Sequence, residues 1–99
     1  MVHGGCVYIL TNAHHTTLYI GVTSDLLSRL WEHQSNVYPN SFTSRYNLNK
    51  LVYYELHPSI QEAIDREKYM KGKVRKWKNE LITSFNPNWK DLGDEIKSW

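Results

Sequence analysis

The stretch "CVYILTNAHHTTLYIGVT", from Cys6 to Thr23, decides the fold. It contains two short runs rich in β-branched and aromatic residues, 7–10 and 18–22, separated by the polar segment "TNAHHTT". This pattern predicts two strands joined in a hairpin. Each strand carries one tyrosine. If Tyr8 pairs with Tyr19, both phenols lie on one face of the sheet, because side chains alternate along a strand.

The residues that follow the hairpin predict a helix and then a loop. In "SDLLSRLWEHQ" the leucines recur at helical spacing, and Ser24 is the expected N-cap. Arg29 and His33 are four residues apart, so they are neighbours along one edge of the apolar stripe. The polar segment 37–49 predicts a loop.

The second half of the chain predicts one more strand and two helices. "KLVYYE", residues 50–55, has the composition of a strand. Ser59, followed by Glu62 three residues later, forms a capping-box pattern at the start of a long helix. Gly72 is expected to break or bend that helix. A second helix is predicted over 74–85, since Pro87 follows it.

Together these elements predict a compact α/β domain of the α+β type. The expected architecture is a three-stranded, mostly antiparallel sheet flanked by helices. With 99 residues the chain is expected to form one domain, with a core over about 5–85 and a C-terminal tail over 86–99. The single cysteine, Cys6, cannot form an internal disulfide. No apolar run could span a bilayer and the N-terminus lacks signal-peptide features, so a cytoplasmic location without membrane contact is expected.

Positive charge is concentrated in one segment, although the net charge is only +2. Seven of the twelve basic residues lie in a short run: Arg66, Lys68, Lys71, Lys73, Arg75, Lys76 and Lys78. Tyr69 and Trp77 lie within it. Such a run in a nearly neutral protein is a candidate site for a polyanion. The alternative is a solvated helix face without a partner.

Glu67 breaks the pattern of its helix, because it lies in the same stripe as the apolar residues Ala63 and Met70. A carboxylate in a core-facing stripe is costly unless it is paired. Three explanations are open. The stripe reaches the protein edge there, a basic residue such as Arg29 pairs with it, or the carboxylate binds a metal ion at the floor of a cleft.

The order of these motifs resembles the GIY-YIG nuclease family. The resemblance runs through "CVYIL", "LYIGVTSDLLSRLWEH", "KLVYYE", "EAIDREKYMKG" and "LITSFNPNWKDL", which together cover nearly the whole chain. Its layout is most similar to the small single-domain members, which are like the nuclease domain of excinuclease ABC. The residues that carry it are Tyr8, Tyr19, Arg29, His33 and Glu67.

The resemblance departs from the family pattern at two places. The first triad reads Cys6, Val7, Tyr8, so only its tyrosine is kept, whereas the second is complete as Tyr19, Ile20 and Gly21. Family members often have an asparagine near the C-terminal end of the domain. Here Asn86 is the best match, and Asn88 is the alternative.

The resemblance implies metal-dependent hydrolysis of DNA phosphodiester bonds. Glu67 would hold one divalent cation, most simply Mg²⁺, with Mn²⁺ as an alternative. Arg29 would contact the scissile phosphate. Tyr8 would orient or deprotonate the attacking water, although a free phenol, with a pKa near ~10, needs help to do so near neutrality. Tyr19 would position water or phosphate, and His33 would relay the proton.

DNA binding is assigned to two further features. Gly21 would let the backbone approach the substrate. The basic run would contact the nucleic-acid backbone. We expect an endonuclease in DNA repair or recombination, with a protein partner for targeting as an open question. Two alternatives remain at this stage: a binding module of the same fold without turnover, and an interaction domain whose basic helix contacts an acidic protein.

Overall fold

The computed structural model describes residues 4–35 and 38–99. Within these ranges no helix is both long and apolar enough to cross a membrane. The strands and helices, in chain order, are β1 (Gly5–Thr11), β2 (Leu18–Thr23), α1 (Leu26–Gln34), α2 (Phe42–Arg45), β3 (Lys50–His57), α3 (Ile60–Lys71), α4 (Arg75–Phe85) and α5 (Gly93–Ile96).

The sheet has the order β2-β1-β3, and both pairs of neighbouring strands are antiparallel. The predicted fold class is thereby confirmed. The register differs from the expected pairing, because Tyr8 lies opposite Gly21 and Tyr19 lies opposite Leu10. Tyr8 and Tyr19 are therefore diagonal neighbours. They still share one face of the sheet, because a shift of two residues preserves the alternation of side chains.

Each face of the sheet carries its own apolar cluster. The Tyr8 face packs against Leu26 and Leu30 of α1 and against Leu92 and Ile96 near the C-terminus. The opposite face packs against α3 and α4 and contains these buried residues: Val7, Ile9, Ile20, Val52, Tyr53, Ala63, Met70 and Ile82. The sheet thus separates α1 from α3, and functional side chains on these two helices start from opposite sides.

Two local predictions were wrong, and one was confirmed. Asp25, rather than Ser24, caps α1, because its carboxylate accepts from the backbone N–H of Ser28. The segment predicted as a loop contains the short helix α2, capped by Ser41. Ser59 caps α3 as predicted, accepting from the backbone N–H of Glu62 at 3.2 Å.

Asn86 fastens the chain after α4 to the sheet. Its side chain is 3% exposed, and its amide nitrogen donates to the carbonyls of Val52 (3.1 Å) and Lys90 (2.8 Å). Its amide oxygen accepts from the backbone N–H of Lys90. Both ends of the amide are used in these bonds. The structure thus gives Asn86 an anchoring role beside β3, in place of the catalytic role predicted from its position in the sequence.

We expect Asn86→Ala to destabilise the protein strongly. The change strands buried backbone groups of Val52 and Lys90 without partners, at a cost of about 2–3 kcal/mol. Thermal unfolding followed by circular dichroism should show a melting temperature lower by roughly 10 °C or more. The matched control is Asn88→Ala, because Asn88 is exposed. An Asn86→Ala protein that melts like the wild type would contradict the anchoring role.

Candidate active site

A chain of hydrogen bonds links Tyr8, His33 and Thr43. The Tyr8 hydroxyl lies 3.2 Å from Nε2 of His33, and Nδ1 of His33 lies 2.8 Å from Oγ1 of Thr43. Tyr8 and Thr43 are 2% and 5% exposed, whereas His33 is only half-buried. Both ring nitrogens of His33 are therefore engaged, and β1, α1 and α2 are joined at one imidazole.

Gly21 provides the space in which the Tyr8 ring lies. The two residues are cross-strand partners, and a Cβ atom on residue 21 would overlap the Cζ atom of Tyr8. No other residue leaves this space open, because every other side chain begins with a Cβ. The glycine was predicted to admit the substrate to the backbone. The structure gives that space to the Tyr8 ring.

A cleft of about 180 Å³ opens beside these residues, lined in part by Tyr19, Arg29, Glu32 and His33. The Tyr19 ring centroid lies 6.2 Å from that of Tyr8 and 5.9 Å from that of His33. The Arg29 side chain is 43% exposed, and its guanidinium lies 3.8 Å from the Glu32 carboxylate. An exposed ion pair at this distance is weak, so Arg29 is available to an anion in the cleft.

Burial sets the proton affinities in the cleft. Burial, and to a lesser extent the neighbouring Tyr19, raise the pKa of Tyr8 well above that of a free phenol, although the Arg29 charge opposes the shift. Burial and the Arg29 charge lower the pKa of His33 below 6.5. Near neutral pH the phenol is therefore protonated and the imidazole is neutral. One can donate a proton that the other can accept.

Glu67 lies apart from this group. Its side chain is 14% exposed, and the ion pair that the structure gives it is with Lys71, at 3.5 Å along α3. The Arg29 partner considered from the sequence is not observed, since Arg29 pairs with Glu32. Helix α3 packs against β1 and β2 on the face opposite Tyr8. It therefore adjoins the strand that carries Tyr19 and Gly21.

The lysines and Arg75 of the basic run divide into side chains that have partners and side chains that do not. Lys71 pairs with Glu67, Lys73 lies over the Tyr69 ring at 4.4 Å, and Arg75 donates to backbone carbonyls of the β1–β2 loop. In the described part of the chain no ion pair or hydrogen bond engages the other three lysines: Lys68, Lys76 and Lys78. Lys68 and Lys76 are also exposed.

Sequence reasoning missed Thr43 and the helix that carries it. Thr43 is buried and holds Nδ1 of His33, and its carbonyl accepts from the backbone N–H of Leu48 at 2.7 Å. A helix of four residues is too short to show helical periodicity. The available signal was Ser41, whose hydroxyl accepts from the backbone N–H of Ser44 at the helix start.

The fold and the cleft point to a small α+β nuclease domain, and comparison with known proteins gives the family. The model of the GIY-YIG catalytic domain matches residues 4–80, so the chain belongs to the GIY-YIG family, which is a nuclease family. The matched residues include both tyrosines of the cleft and Glu67. They end before Asn86.

Two relatives share most of the chain. A UPF0213 protein from Syntrophus aciditrophicus (strain SB) is 37% identical over 76 residues, which cover 77% of this chain and 86% of the relative. The solution NMR structure of a UPF0213 protein from Bacillus halodurans matches with a TM-score of 0.56 at 26% identity, covering 89% of this chain and 92% of that one. The fold is therefore that of a small GIY-YIG domain.

We expect Gly21→Ala to displace the Tyr8 ring and break its bond to His33. The added methyl overlaps ring atoms of Tyr8, and overpacking of this kind costs about 1–3 kcal/mol. Chemical denaturation should show the loss of stability, and the NMR signals of the His33 ring should shift. The control is Gly72→Ala, because a Cβ at residue 72 would meet its nearest atom at 3.5 Å. Equal stability of the two variants would contradict the packing described for Tyr8.

Proposed function

We propose that the chain is a metal-dependent endonuclease that hydrolyses phosphodiester bonds in DNA. The observation that carries the proposal is the hydrogen-bonded chain of Tyr8, His33 and Thr43 beside the exposed guanidinium of Arg29. A module that only bound DNA would need surface charge. It would not need a buried phenol fixed to a neutral imidazole. The similarity to the nuclease domain of excinuclease ABC supports a role in DNA repair or recombination.

Tyr8 and His33 together would take the proton of the attacking water. The raised pKa of Tyr8 makes the isolated phenol a poor proton acceptor near neutrality. If Tyr8 donates its proton to Nε2 of His33 as it accepts one from water, no free phenolate has to form. Nδ1–H of His33 would donate to Thr43, which fixes the tautomer. The Arg29 charge disfavours imidazolium, so His33 returns to its neutral form after the reaction.

Arg29 and Tyr19 would bind the phosphate. Both line the cleft, and Arg29 carries a positive charge that strengthens its contact as negative charge grows on the phosphate. Tyr19 lies within ring-contact distance of Tyr8 and His33, so its hydroxyl is suited to hold the water or a phosphate oxygen. The three side chains thereby fix the attacking water against the phosphorus atom.

Glu67 fits a divalent cation of a particular kind. In the described residues no group of three or more His, Cys, Asp or Glu side chains could form a metal cage. Mg²⁺ does not need one, because it is usually held by one or two carboxylates together with waters and substrate phosphates. Glu67 would hold Mg²⁺ or Mn²⁺, whose charge would stabilise the leaving oxygen. Lys71 would then lose its partner and could turn to the DNA.

The DNA backbone would be held by the exposed part of the basic run. Lys68, Lys76 and Lys78 are the strongest candidates, because the structure gives them no intramolecular partner among the described residues. Lys73 and Arg75 are held by Tyr69 and by the β1–β2 loop, so they would position the surface rather than neutralise phosphates. The acidic-protein alternative uses the same lysines. It makes no use of the cleft.

We expect Tyr8→Phe to lower the cleavage rate by roughly a hundredfold or more while the fold survives. The ring and its packing stay, but the hydroxyl that joins water to His33 is lost, and help of this kind has that magnitude. Single-turnover cleavage of labelled DNA gives the rate. Tyr19→Phe should also slow cleavage. Full activity in both variants would mean that the two phenols only pack the sheet.

We also expect the pH profile of kcat/KM to report His33. Neutral imidazole is required and its pKa is lowered, so activity should rise through a midpoint below pH 6.5 and be constant from there through neutrality. Tyr8, with its raised pKa, should add no basic limb near neutrality. Rates of the wild type measured across this range give the profile. An acidic midpoint at or above 6.5 would exclude His33 in its present surroundings as the acceptor.

We expect Glu67→Gln to abolish metal-dependent cleavage and to preserve DNA binding. The change keeps the shape of the side chain and removes the charge that would hold the cation. Stability without metal should change by no more than about 0.5 kcal/mol, because the pair with the half-exposed Lys71 is weak. Cleavage assays, DNA binding and thermal unfolding are measured on the same preparations.

The matched control for Glu67 is Glu80→Gln, an exposed carboxylate on α4. It should leave cleavage, binding and stability unchanged. A Glu67→Gln protein that loses stability but cleaves normally would show that Glu67 has a structural role. A wild type that binds DNA and never cleaves it would favour the binding module.

A further inference from the structure

A row of aromatic rings leads from the candidate active site to the protein surface. The Phe42 centroid lies 6.3 Å from that of Tyr19 and 4.7 Å from that of Tyr46. Tyr19 in turn lies 6.2 Å from the buried Tyr8. Phe42 and Tyr46 are each 49% exposed. The row therefore ends in two large rings that are left half in water next to the cleft.

Helix α2 holds this row in a fixed position relative to the active-site side chains. Thr43 follows Phe42 directly in the sequence, and its hydroxyl is bonded to Nδ1 of His33 at 2.8 Å. Its carbonyl is bonded to the backbone N–H of Leu48 at 2.7 Å. The rings are thus attached through one buried residue to the imidazole of the proton path. Such a fixed aromatic surface loses little conformational entropy when a ligand stacks on it.

The surroundings of the rings favour an anionic ligand with a flat apolar part. Phe42 and Arg29 both line the cleft, and Arg45 lies exposed on the same helix as Phe42, directly before Tyr46. Glu32 partly offsets the charge of Arg29, at 3.8 Å. Exposed aromatic rings beside cationic side chains are the usual means by which proteins hold unpaired nucleotides, because bases stack on the rings and phosphates meet the charges.

We infer that Phe42 and Tyr46 form a stacking subsite for an unpaired nucleobase next to the scissile phosphate. The inference rests on the proposed function and names the substrate class of the same cleft. Paired bases in duplex DNA stack on one another and offer no face to a ring. The preferred substrate therefore has unpaired nucleotides, either as a single strand or as the splayed arm of a branched DNA. At about 3.4 Å per nucleotide along a stacked strand, the Phe42 ring, 6.3 Å from Tyr19, lies about two nucleotides from the phosphate.

The test separates stacking from charge by means of two strands with equal numbers of phosphates. One is a fluorescent oligothymidylate of about ten nucleotides, and the other is a backbone of the same length in which every site is abasic. Binding is followed by fluorescence anisotropy without metal, so no strand is cut. The variants are Phe42→Leu, which keeps the apolar volume and removes the ring, and Phe42→Trp, which keeps an aromatic ring.

We expect Phe42→Leu to weaken binding of the oligothymidylate by roughly 5- to 100-fold, the scale of one stacked base. Binding of the abasic strand should change by less than about twofold, and Phe42→Trp should restore the difference between the strands. Equal weakening for both strands would indicate a general effect on charge or folding and would overturn the inference. So would equal affinity of the wild type for the two strands, or no binding of either.

Cleavage measurements on the same proteins keep this inference separate from the proposed function. A wild type that cleaves intact duplex DNA, with no difference between the two strands in binding, would support the nuclease and reject the stacking subsite. A wild type that discriminates between the strands through Phe42 but never cleaves would support the subsite and reject the nuclease.

Discussion

The contact between the Tyr8 ring and the backbone of Gly21 is the constraint on which the candidate active site depends. A ring can lie across the neighbouring strand only where that strand has no side chain. In this position the phenol is buried and its hydroxyl reaches His33. Burial then raises the pKa of Tyr8 and lowers that of His33. A single missing side chain on β2 thus determines both the geometry and the proton affinities of the cleft.

The architecture could be predicted because strong local patterns determine it. Alternating apolar residues identify the strands, and capping by Ser59 identifies the start of α3. The pairing of Tyr8 with Tyr19 was predicted incorrectly, because the loop between β1 and β2 does not reveal the register of the hairpin. The shared face was nevertheless predicted correctly, since it depends only on whether the offset is even. Helix α2 was missed because four residues are too few to show a period.

The candidate site was predictable only in part, for physical reasons. Tyr8, Tyr19, Arg29 and His33 are close to one another because a hairpin and the helix that follows it are local in sequence. Asn86 was proposed as catalytic from its place near the end of the domain. Its role is set by long-range hydrogen bonds to β3, which no local pattern reveals.

The most direct test of the proposed activity is whether the wild-type protein cuts DNA. Purified protein would be incubated with supercoiled, branched and single-stranded DNA, with Mg²⁺, with Mn²⁺ and with a chelator, and the products separated by electrophoresis. We expect cleavage that requires the divalent cation and is absent in the chelator. Binding to every DNA form without cleavage in either metal would contradict the nuclease and would leave the chain as a binding module of the GIY-YIG family.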